Sequence, residues 1–376
     1  MAVIVKMGIF FLNIIFSFLK LLPVRKKIVY ISRQSNTVPV DFELMKCKME
    51  NLLPNYKNIV LARTIDPGVA AKIRYFFHMF RQMYHLATAR VVILDTYCIA
   101  VSVLKQRESL IVVQMWHALG ALKKFGYSIL DKGEGSSSKI AGMMKMHNNY
   151  SYVFTSGELC REYFAEAFHQ PLKKIKVFPL PRLDLLLNEG YQKKKKNSIL
   201  KKYPILQENK KKIIVYAPTF RKDEEVLERG LEQLLSRLDY EKYYLIFKPH
   251  PLSAIRKINC EIICDKDFST EDMLYIADYV ITDYSAILYE AALLGKRMIL
   301  YAFDYASYTK KRDFYLDYQS VFSDIIAKTA DEVINLLEHN LQGMNWDVFL
   351  ENVVKKTQNT YTADICNFLI ESCKLK

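Results

Sequence analysis

The sequence predicts an α/β protein of two domains, each built around a parallel β-sheet. Short β-branched runs alternate with helix-like segments in both halves of the chain, a pattern typical of parallel βαβ units. A chain of 376 residues exceeds what one hydrophobic core usually serves. Two histidines, one in each half, follow short apolar runs and indicate a cleft between the domains that handles an anionic substrate.

The first alternating series begins at Lys27. KIVYIS, NIVLA, RVVILD and LIVVQM are strand-like, and residues 70–87 between them have helical spacing. YVFTS, a helical stretch at 158–168 and KIKVF continue the series. Residues 25–187 are therefore expected to form the first α/β domain.

The second series begins after an interruption. Residues 188–211 are rich in lysine and are predicted to be a solvated basic linker. Residues 212–345 are expected to form the second domain, with strand-like KIIVYA, YYLIF, YVIT and RMILYA separated by helical stretches. Residues 346–376 are predicted to be a terminal helix that crosses back to the first domain.

The amino terminus is strongly apolar and is followed by basic residues. GIFFLNIIFSFLKLL, at 8–22, is short for a spanning helix, which needs about 20 apolar residues, and no small-residue cleavage site follows it. Residues 1–24 are predicted to lie in the plane of an anionic membrane surface, with Arg25, Lys26 and Lys27 on the headgroups. The alternative is a first helix that packs on the protein itself.

A formal net charge of +14 indicates a polyanionic partner or surface. No RNA-recognition, zinc-finger or helix-turn-helix signature accompanies the charge, so nucleic acid is not expected. GxGxxG and Walker A loops are also absent, which disfavours dinucleotide oxidoreduction and P-loop hydrolysis. Asp265 and Asp267 form an isolated DxD, which we interpret as helix-start chemistry rather than a metal site. The seven cysteines are scattered, as is typical of a reduced cytosolic protein.

Polar residues follow three strand-like runs of the second half. The runs lead, in order, into Thr219 and Arg221, into Lys248 and His250, and into Asp283 and Ser285. Because parallel strands end at the same edge of a sheet, these groups are expected to converge on one crevice.

The residue types at these strand ends suit a pyrophosphate. Arg221 can bind phosphate oxygens bidentately, Lys248 can add a point charge, and the helix that starts at Ser285 favours negative charge at its first turn. Each residue also has a structural reading: Ser285 as a helix cap, Asp283 as a turn residue and Arg221 in a surface salt bridge. Their convergence favours function.

The two histidines are predicted to have different roles. His250 is flanked by Pro249 and Pro251, which fix its backbone, and it is a candidate donor to a phosphate oxygen or a leaving group. His117 follows Trp116 and is a candidate general base for an acceptor hydroxyl. The other histidines have helix-like surroundings.

Six motifs occur in order between about residue 27 and residue 337. They are QMWHALGALKKFGYS, FTSGELCREYFAEAF, PLPRLDLL, YAPTFR, FKPHP and ADYVITDYSAILYEAALLGKRMILYAFDYASYTKKRDFYLDY. As a set, they resemble the CDP-glycerol glycerophosphotransferase family, which comprises the wall teichoic acid primases and polymerases and their CDP-ribitol-using relatives.

The resemblance implies a GT-B-like fold, with two Rossmann-like domains whose parallel sheets face a central cleft. Residues 25–187 would be the acceptor-side domain, and residues 212–345 would bind the CDP-alditol. The implied reaction moves glycerol phosphate or ribitol phosphate from a CDP-alditol to a hydroxyl of an undecaprenyl-type lipid-linked acceptor and releases CMP. It would take place at the cytoplasmic face of the cell membrane, without a tightly bound cofactor.

The resemblance also assigns roles to single residues. His117 matches the histidine assigned as the base, and His250 matches a second essential histidine near the pyrophosphate. The residues that fall in motifs lining the CDP-alditol site are Thr219, Arg221, Asp283, Ser285 and Glu290. For Glu290 the alternative is an exposed helix former.

The sequence departs from the family pattern beside His117, where HALGALK replaces the HGTPLK of many members. This change leaves the base in place but leaves open which alditol and acceptor are used. Two other functions fit the residues. A GT-B glycosyltransferase that uses a nucleotide sugar would share the strand ends, whereas a non-catalytic peripheral protein would bind anionic lipid through its basic surface and would need no paired histidines.

Overall fold

The buried β-branched runs of the N-terminal half form the centre of one parallel sheet. The computed structural model describes residues 2–208, 210–250, 253, 255, 262–339 and 344–375. The strands in the first half are β1 (Lys27–Ser32), β2 (Lys57–Ala62), β3 (Val91–Leu94), β4 (Ile111–Gln114), β5 (Tyr152–Thr155) and β6 (Ile175–Val177). They are ordered β2-β1-β3-β4-β5-β6, and every neighbouring pair is parallel. All side chains of β1 and β3 are buried, as expected for central strands covered on both faces.

Helices connect these strands as in successive βαβ crossovers. They are α2 (Val40–Leu52), α3 (Val69–Thr88), α4 (Ile99–Val103), α5 (Ser138–Met143) and α6 (Cys160–Phe168), with 3₁₀ turns at Gly126–Ile129 and Leu172–Lys174. A further helix, α1 (Ala2–Leu19), precedes the first strand. α6 ends at His169, whose left-handed φ of 50° stops the helix before β6.

A second six-stranded parallel sheet forms in the C-terminal half. Its strands are β7 (Lys212–Tyr216), β8 (Tyr243–Phe247), β9 (Ile263–Cys264), β10 (Tyr279–Thr282), β11 (Arg297–Tyr301) and β12 (Ile326–Ala327). They are ordered β12-β11-β10-β7-β8-β9, so β7 and β10 are adjacent at the centre. Tyr216, Phe247, Ile281 and Tyr301 belong to the hydrophobic core that this sheet shares with its helices.

The helices of the second half complete this layer architecture. They are α7 (Leu183–Leu186), α8 (Glu189–Lys202), α9 (Ile205–Glu208), α10 (Glu224–Leu235), α11 (Thr270–Leu274), α12 (Ile287–Leu293), α13 (Tyr305–Lys311), α14 (Tyr318–Val321), α15 (Ala330–Glu338) and α16 (Trp346–Leu350), followed by α17 (Tyr361–Ser372). Several of these helices begin after a residue whose side chain caps the first turn. The Thr329 side chain, for example, accepts a hydrogen bond from the Glu332 N–H at the start of α15.

The chain divides into two compact units. The first contains the residues up to Leu119, Phe125–Asp184 and the chain from Val353 onward, and the second contains Gly120–Lys124 and Leu185–Asn352. The predicted α/β class, with one parallel sheet in each half, is confirmed. Residues 353 onward, including α17, belong to the first unit, and the Ser156 hydroxyl donates a 2.7 Å hydrogen bond to the Val353 carbonyl there.

Two segments differ from their sequence-based expectation. Residues 188–211 contain α8, so most of the expected linker is helical: Asn188 caps the helix, Ile199 is buried and Lys195 pairs with Asp272 at 2.7 Å. The expected terminal helix of 346–376 is instead two helices, α16 and α17, which belong to different units. Lysine is a good helix former, so a lysine-rich run is helical once a cap and one buried side chain fix it.

Candidate active site

The segment after β4 is bent sharply where it presents His117. Trp116 has a left-handed φ of 61°, a strained conformation for a bulky side chain and one that recurs at functional sites. Its backbone N–H donates to Gln114 Oε1 at 3.0 Å, and its indole stacks on Phe125 at 4.7 Å. The strained bend therefore fixes the backbone position from which the His117 side chain extends.

His117 is held in one tautomer by the neighbouring strand. Its Nδ1 lies 2.8 Å from the backbone carbonyl oxygen of Asp95, which directly follows β3. Because a carbonyl oxygen only accepts hydrogen bonds, Nδ1 carries the proton. In the neutral ring, Nε2 is then the basic nitrogen, as a general base requires.

The Asp95 side chain lies in the same strand-end region and is 5 % exposed. Desolvation raises the pKa of this carboxyl to about 6, although hydrogen bonds from Ser32 and Thr96 act in the opposite direction. Asp95 was not among the expected site residues. The only sequence signal for it was its place as the last residue of RVVILD, a polar group at a strand end.

In the second unit, Arg221 and Asp283 lie at the ends of the central strands β7 and β10 and form a buried ion pair. The distance from Arg221 Nη1 to Asp283 Oδ2 is 2.8 Å, and the two side chains are 6 % and 0 % exposed. Asp283 Oδ1 accepts hydrogen bonds from the backbone N–H of Thr219 at 2.9 Å and of Tyr284 at 2.6 Å. The three strand-end residues Thr219, Arg221 and Asp283 are therefore brought together, as expected.

The guanidinium of Arg221 is already used by protein groups. Its Nε and Nη2 donate to the two carboxylate oxygens of Asp304 at 2.8 and 2.9 Å, and its Nη1 donates to the Thr219 carbonyl at 2.7 Å. Burial opposes its charge, but Asp283 and Asp304 outweigh burial and raise the pKa of Arg221. The expectation that Arg221 binds phosphate bidentately is at odds with this geometry, because the planar fork is filled by Asp304. The ion pair of Arg221 with Asp283 is also buried, which excludes the alternative that Arg221 forms a surface salt bridge.

Lys248 is likewise engaged within the protein. It is 7 % exposed, and its Nζ lies 2.8 Å from Asp265 Oδ2 and also donates to the backbone carbonyl of Phe268. A lysine has three donors, and the Asp265 carbonyl, at 3.2 Å, accepts the third. The expectation that Lys248 offers a point charge to phosphate is therefore not supported by the structure.

The DxD pair also differs from its expected role. Asp265 binds Lys248 and accepts a 2.6 Å hydrogen bond from the Tyr203 hydroxyl, and Asp267 pairs with Lys202. The following helix, α11, is capped by Ser269 instead. Within the residues that the structure describes, no group of three or more His, Cys, Asp or Glu side chains could hold a metal ion.

Ser285 lies two residues before the start of α12, and Glu290 lies within this helix. The Ser285 hydroxyl accepts a long, 3.4 Å hydrogen bond from the Ile287 N–H, but the N-cap of α12 is Ala286 and the helix has no side-chain cap, so Ser285 is not its capping residue. Glu290 is only 4 % exposed, which excludes the alternative of an exposed helix former. A carboxylate buried in the helix next to the strand-end loop suggests a specific task, because such groups are seldom buried without one.

His250 follows β8 and is exposed at the surface of the second unit. Its ring lies 5.4 Å from the Phe220 ring, centroid to centroid, which joins it to the loop after β7. Desolvation of the imidazole, and then the positive charge of Lys123, lower the pKa of His250. At neutral pH the ring is therefore neutral and can donate one N–H hydrogen bond to an anion. Pro251, expected to stiffen this loop, lies outside the described residues.

Comparisons with known proteins give one family match over most of the chain. Residues 14–370 match the family model described as CDP-Glycerol:Poly(glycerophosphate) glycerophosphotransferase. The chain is 30 % identical over 361 residues to a teichoic acid ribitol-phosphate primase of Bacillus spizizenii, covering 93 % of this chain and 92 % of the primase. It is 29 % identical over 302 residues to a teichoic acid glycerol-phosphate primase of Bacillus subtilis, covering 78 % and 76 %.

Longer relatives and solved structures match as well. The chain spans about half, 52 %, of a teichoic acid poly(ribitol-phosphate) polymerase of Bacillus spizizenii at 30 % identity. The solved structure of the wall teichoic acid polymerase TagF gives a TM-score of 0.71 at 20 % identity, covering 96 % of this chain and 93 % of TagF. At that identity the likeness concerns the fold, and it confirms the GT-B-like class.

Proposed function

The chain belongs to the CDP-glycerol:poly(glycerophosphate) glycerophosphotransferase family, and from that premise we propose that it transfers an alditol phosphate from a CDP-alditol to a hydroxyl of a lipid-linked acceptor. CMP is the leaving group. The alditol is glycerol or ribitol, since the similar primases are named for one or the other. The ribitol-phosphate primase matches over 92 % of its length, which makes CDP-ribitol the first donor to test.

The observation that supports this function best is the orientation of His117. The 2.8 Å hydrogen bond from Nδ1 to the Asp95 carbonyl leaves Nε2 as the basic nitrogen at the end of β4. A base of this kind takes the proton of the acceptor hydroxyl as the oxygen attacks phosphorus. Holding the ring by a backbone oxygen fixes its tautomer, and this hydrogen bond does not depend on the protonation state of any side chain.

The chemical step is a displacement at the phosphorus nearest the alditol. The bond from the acceptor oxygen to phosphorus forms while the bond from phosphorus to the bridging oxygen breaks. The acceptor proton goes to His117 Nε2, and CMP leaves with the electron pair of the broken bond. Positioning and charge stabilisation supply most of the rate enhancement in reactions of this class.

On the donor side, His250, Ser285 and Glu290 are the residues we assign to direct contact. A neutral His250 donates one N–H to a phosphate oxygen, and the Ser285 hydroxyl supplies a further donor. We assign Glu290 the role of accepting hydrogen bonds from the hydroxyl groups of the alditol or ribose. Arg221, Asp283 and Asp304 form the buried support that fixes the loops after β7 and β10, so they position the site without touching phosphate.

Membrane association is proposed through α1. One side of this helix packs on the first unit through Phe16, which is 1 % exposed, and through Asn13, whose side chain donates to the Val103 carbonyl at 3.1 Å. The other side exposes large apolar side chains, including Phe10 at 64 % and Phe18 at 68 %. In the described part of the chain, no helix combines the length and apolar character that crossing a bilayer requires. A helix with this division suits in-plane binding at the cytoplasmic face of the membrane.

The test is a donor screen. Purified protein is incubated with CDP-ribitol, CDP-glycerol or UDP-sugars together with a lipid-linked disaccharide acceptor, and the release of CMP or UDP is measured. We expect CMP from one or both CDP-alditols and no UDP. UDP release from a nucleotide sugar, without CMP from either alditol donor, would replace the proposal with a glycosyltransferase.

A further inference from the structure

A cavity of about 340 Å³ lies in the first unit, away from His117, and neither the strand-end argument nor the family resemblance assigns it a role. It is formed where the chain leaves β2 and runs beside α3. Its walls include Asn36, Arg63, Thr64, Arg74, His78 and Arg81. Its volume falls within the range of about 300–1,000 Å³ typical of small-molecule sites.

The charge of this cavity is positive and is not neutralised by the protein. Three arginines line it, at positions 63, 74 and 81, with Asp66 as the one carboxylate among the described lining residues. In the part of the chain that the structure describes, none of these arginines forms an ion pair. Asp66 accepts a 2.6 Å hydrogen bond from the Thr64 hydroxyl instead. Three positive charges against one negative charge leave a net charge of +2.

His78 provides an independent sign that a ligand belongs here. The residue is 8 % exposed, lines the cavity, and has a buried Nε2 with no hydrogen-bond partner among the described residues. Buried polar atoms are normally paired, and an exception calls for a missing group. Burial, and then the charges of Arg63 and Arg81, lower the pKa of His78, so the surroundings favour an anion at this point.

α3 places an apolar stripe directly beside this basic stripe. Arg74, His78 and Arg81 follow the i, i+4, i+7 spacing of one helix face. On the adjacent face, Ile73 is 53 % exposed and Phe77 is 67 % exposed, and Phe77 lies one turn before Arg81. α1 packs against α3, and its exposed side chains extend the apolar surface. A ligand that covers both stripes has an anionic head and a hydrocarbon chain.

We propose that this cavity binds the diphosphate group of an isoprenoid lipid, with its hydrocarbon chain along the apolar stripe of α3. The two negative charges of a diphosphate diester equal the net charge of the lining, whereas a phosphodiester headgroup has one. The planar guanidinium group of arginine can donate two parallel hydrogen bonds to the closely spaced oxygens of a diphosphate. This assignment rests on the proposed function, because the lipid-linked acceptor of that reaction is such a ligand.

The test uses the whole protein and farnesyl diphosphate as a soluble probe in isothermal titration calorimetry. The variant R74Q/R81Q changes two exposed side chains, so folding should be preserved. We expect its Kd for farnesyl diphosphate to rise about tenfold or more, since two charge-assisted contacts are removed. The matched control is K72Q, an exposed cation on α3 outside the cavity lining, and it should bind like the wild type.

Two further measurements separate this proposal from its alternatives. Inorganic pyrophosphate should bind more weakly than farnesyl diphosphate, and equal affinity would overturn the lipid assignment. Binding to phosphatidylglycerol vesicles should weaken in R74Q/R81Q by no more than the loss of any two exposed cations causes. A variant that lost vesicle binding but kept the wild-type Kd for farnesyl diphosphate would identify a phospholipid site instead and overturn the proposal.

Kinetics connect the cavity to the reaction. The KM for the lipid-linked acceptor should rise in R74Q/R81Q, while kcat and the KM for the CDP-alditol stay near their wild-type values. An unchanged acceptor KM would contradict the assignment. If no CDP-alditol yields CMP in any variant, the proposed function fails, yet the calorimetric comparison still decides whether the cavity binds an isoprenoid diphosphate.

Discussion

Arg221 and Asp304 form a bidentate ion pair among the strand-end loops. Arg221 Nε lies 2.8 Å from Asp304 Oδ2, and Arg221 Nη2 lies 2.9 Å from Asp304 Oδ1. Asp283 approaches the same guanidinium from the other side. Tyr284 adds its hydroxyl, which donates to Asp304 at 3.0 Å. The loops after β7 and β10 are therefore tied to the loop after β11 by one buried cation.

Removing one member of this pair is predicted to destabilise the second unit. The variant D304N leaves the Arg221 charge less compensated in a buried place, and breaking a buried pair in this way costs about 3–5 kcal/mol. The midpoint of urea unfolding for the second unit should fall, as followed by fluorescence or circular dichroism.

An exposed ion pair of the same unit provides the control. Arg237 and Asp331 are 59 % and 74 % exposed, and such pairs contribute about 0–1 kcal/mol. R237Q should therefore unfold almost like the wild type. If D304N unfolded at the same urea concentration as R237Q, the positioning role of the pair would be wrong.

Replacing His117 is predicted to impair the chemical step rather than donor binding. H117A removes the base at Nε2, and loss of a general base lowers kcat by about 10²–10⁴. The KM for the CDP-alditol should change little. Steady-state CMP release measures both quantities.

The control for this variant follows from the atom that holds the ring. The Asp95 partner of His117 is a backbone oxygen, which every residue type provides. D95N, which preserves the shape of the side chain, should therefore retain much more activity than H117A. Equal losses in the two variants would show that the reaction needs the Asp95 carboxyl as much as the ring of His117, and the role of the backbone oxygen alone would be wrong.

The positions of the longer strands along the chain were predictable, because each of them is an apolar β-branched run bounded by polar residues. KIVYIS and KIIVYA are examples, and they became β1 and β7. The two-residue strands Ile263–Cys264 and Ile326–Ala327 were not predictable, since periodicity needs more residues to show. The convergence of Thr219, Arg221 and Asp283 followed from strand ends sharing one edge.

The partners of the charged side chains were not predictable. Asp304 lies 83 residues beyond Arg221, and Asp265 lies 17 residues beyond Lys248. Sequence shows that a basic residue stands at a strand end, but it does not show which carboxylate folds back onto it. A cation therefore looks available to a ligand until the tertiary structure shows that it is already bound.

Acid is predicted to destabilise the first unit through His147. Burial, and then the charge of Arg33, lower the pKa of His147 from 6.5 to about 3. The His147 ring takes up a proton near pH 6.5 in the unfolded chain but only near pH 3 in the folded chain. The stability that the neutral ring contributes is therefore complete above pH 6.5 and is lost as the pH falls toward 3. The slope from one such group is at most about 1.4 kcal/mol per pH unit.

Urea unfolding of H147N at several pH values tests this. Asparagine tolerates the left-handed φ of 60° at this position and does not titrate. The variant should lose less stability than the wild type between pH 6.5 and pH 4. Parallel curves for the two proteins would rule out His147 as the source of the acid sensitivity.

Vesicle binding is predicted to depend on the exposed side of α1 and not on its packed side. Phe10 and Phe11 are 64 % and 58 % exposed, so F10S/F11S removes apolar surface that is available to a membrane while leaving the packing of the first unit intact. Sedimentation with phosphatidylglycerol vesicles should show reduced binding and an unchanged Tm. F16S is the contrasting variant: Phe16 is 1 % exposed, and losing a buried phenylalanine costs about 3–5 kcal/mol, so its Tm should fall. If F10S/F11S bound vesicles like the wild type, α1 would serve only to pack on the protein, because its exposed phenylalanines would then contribute nothing to membrane affinity.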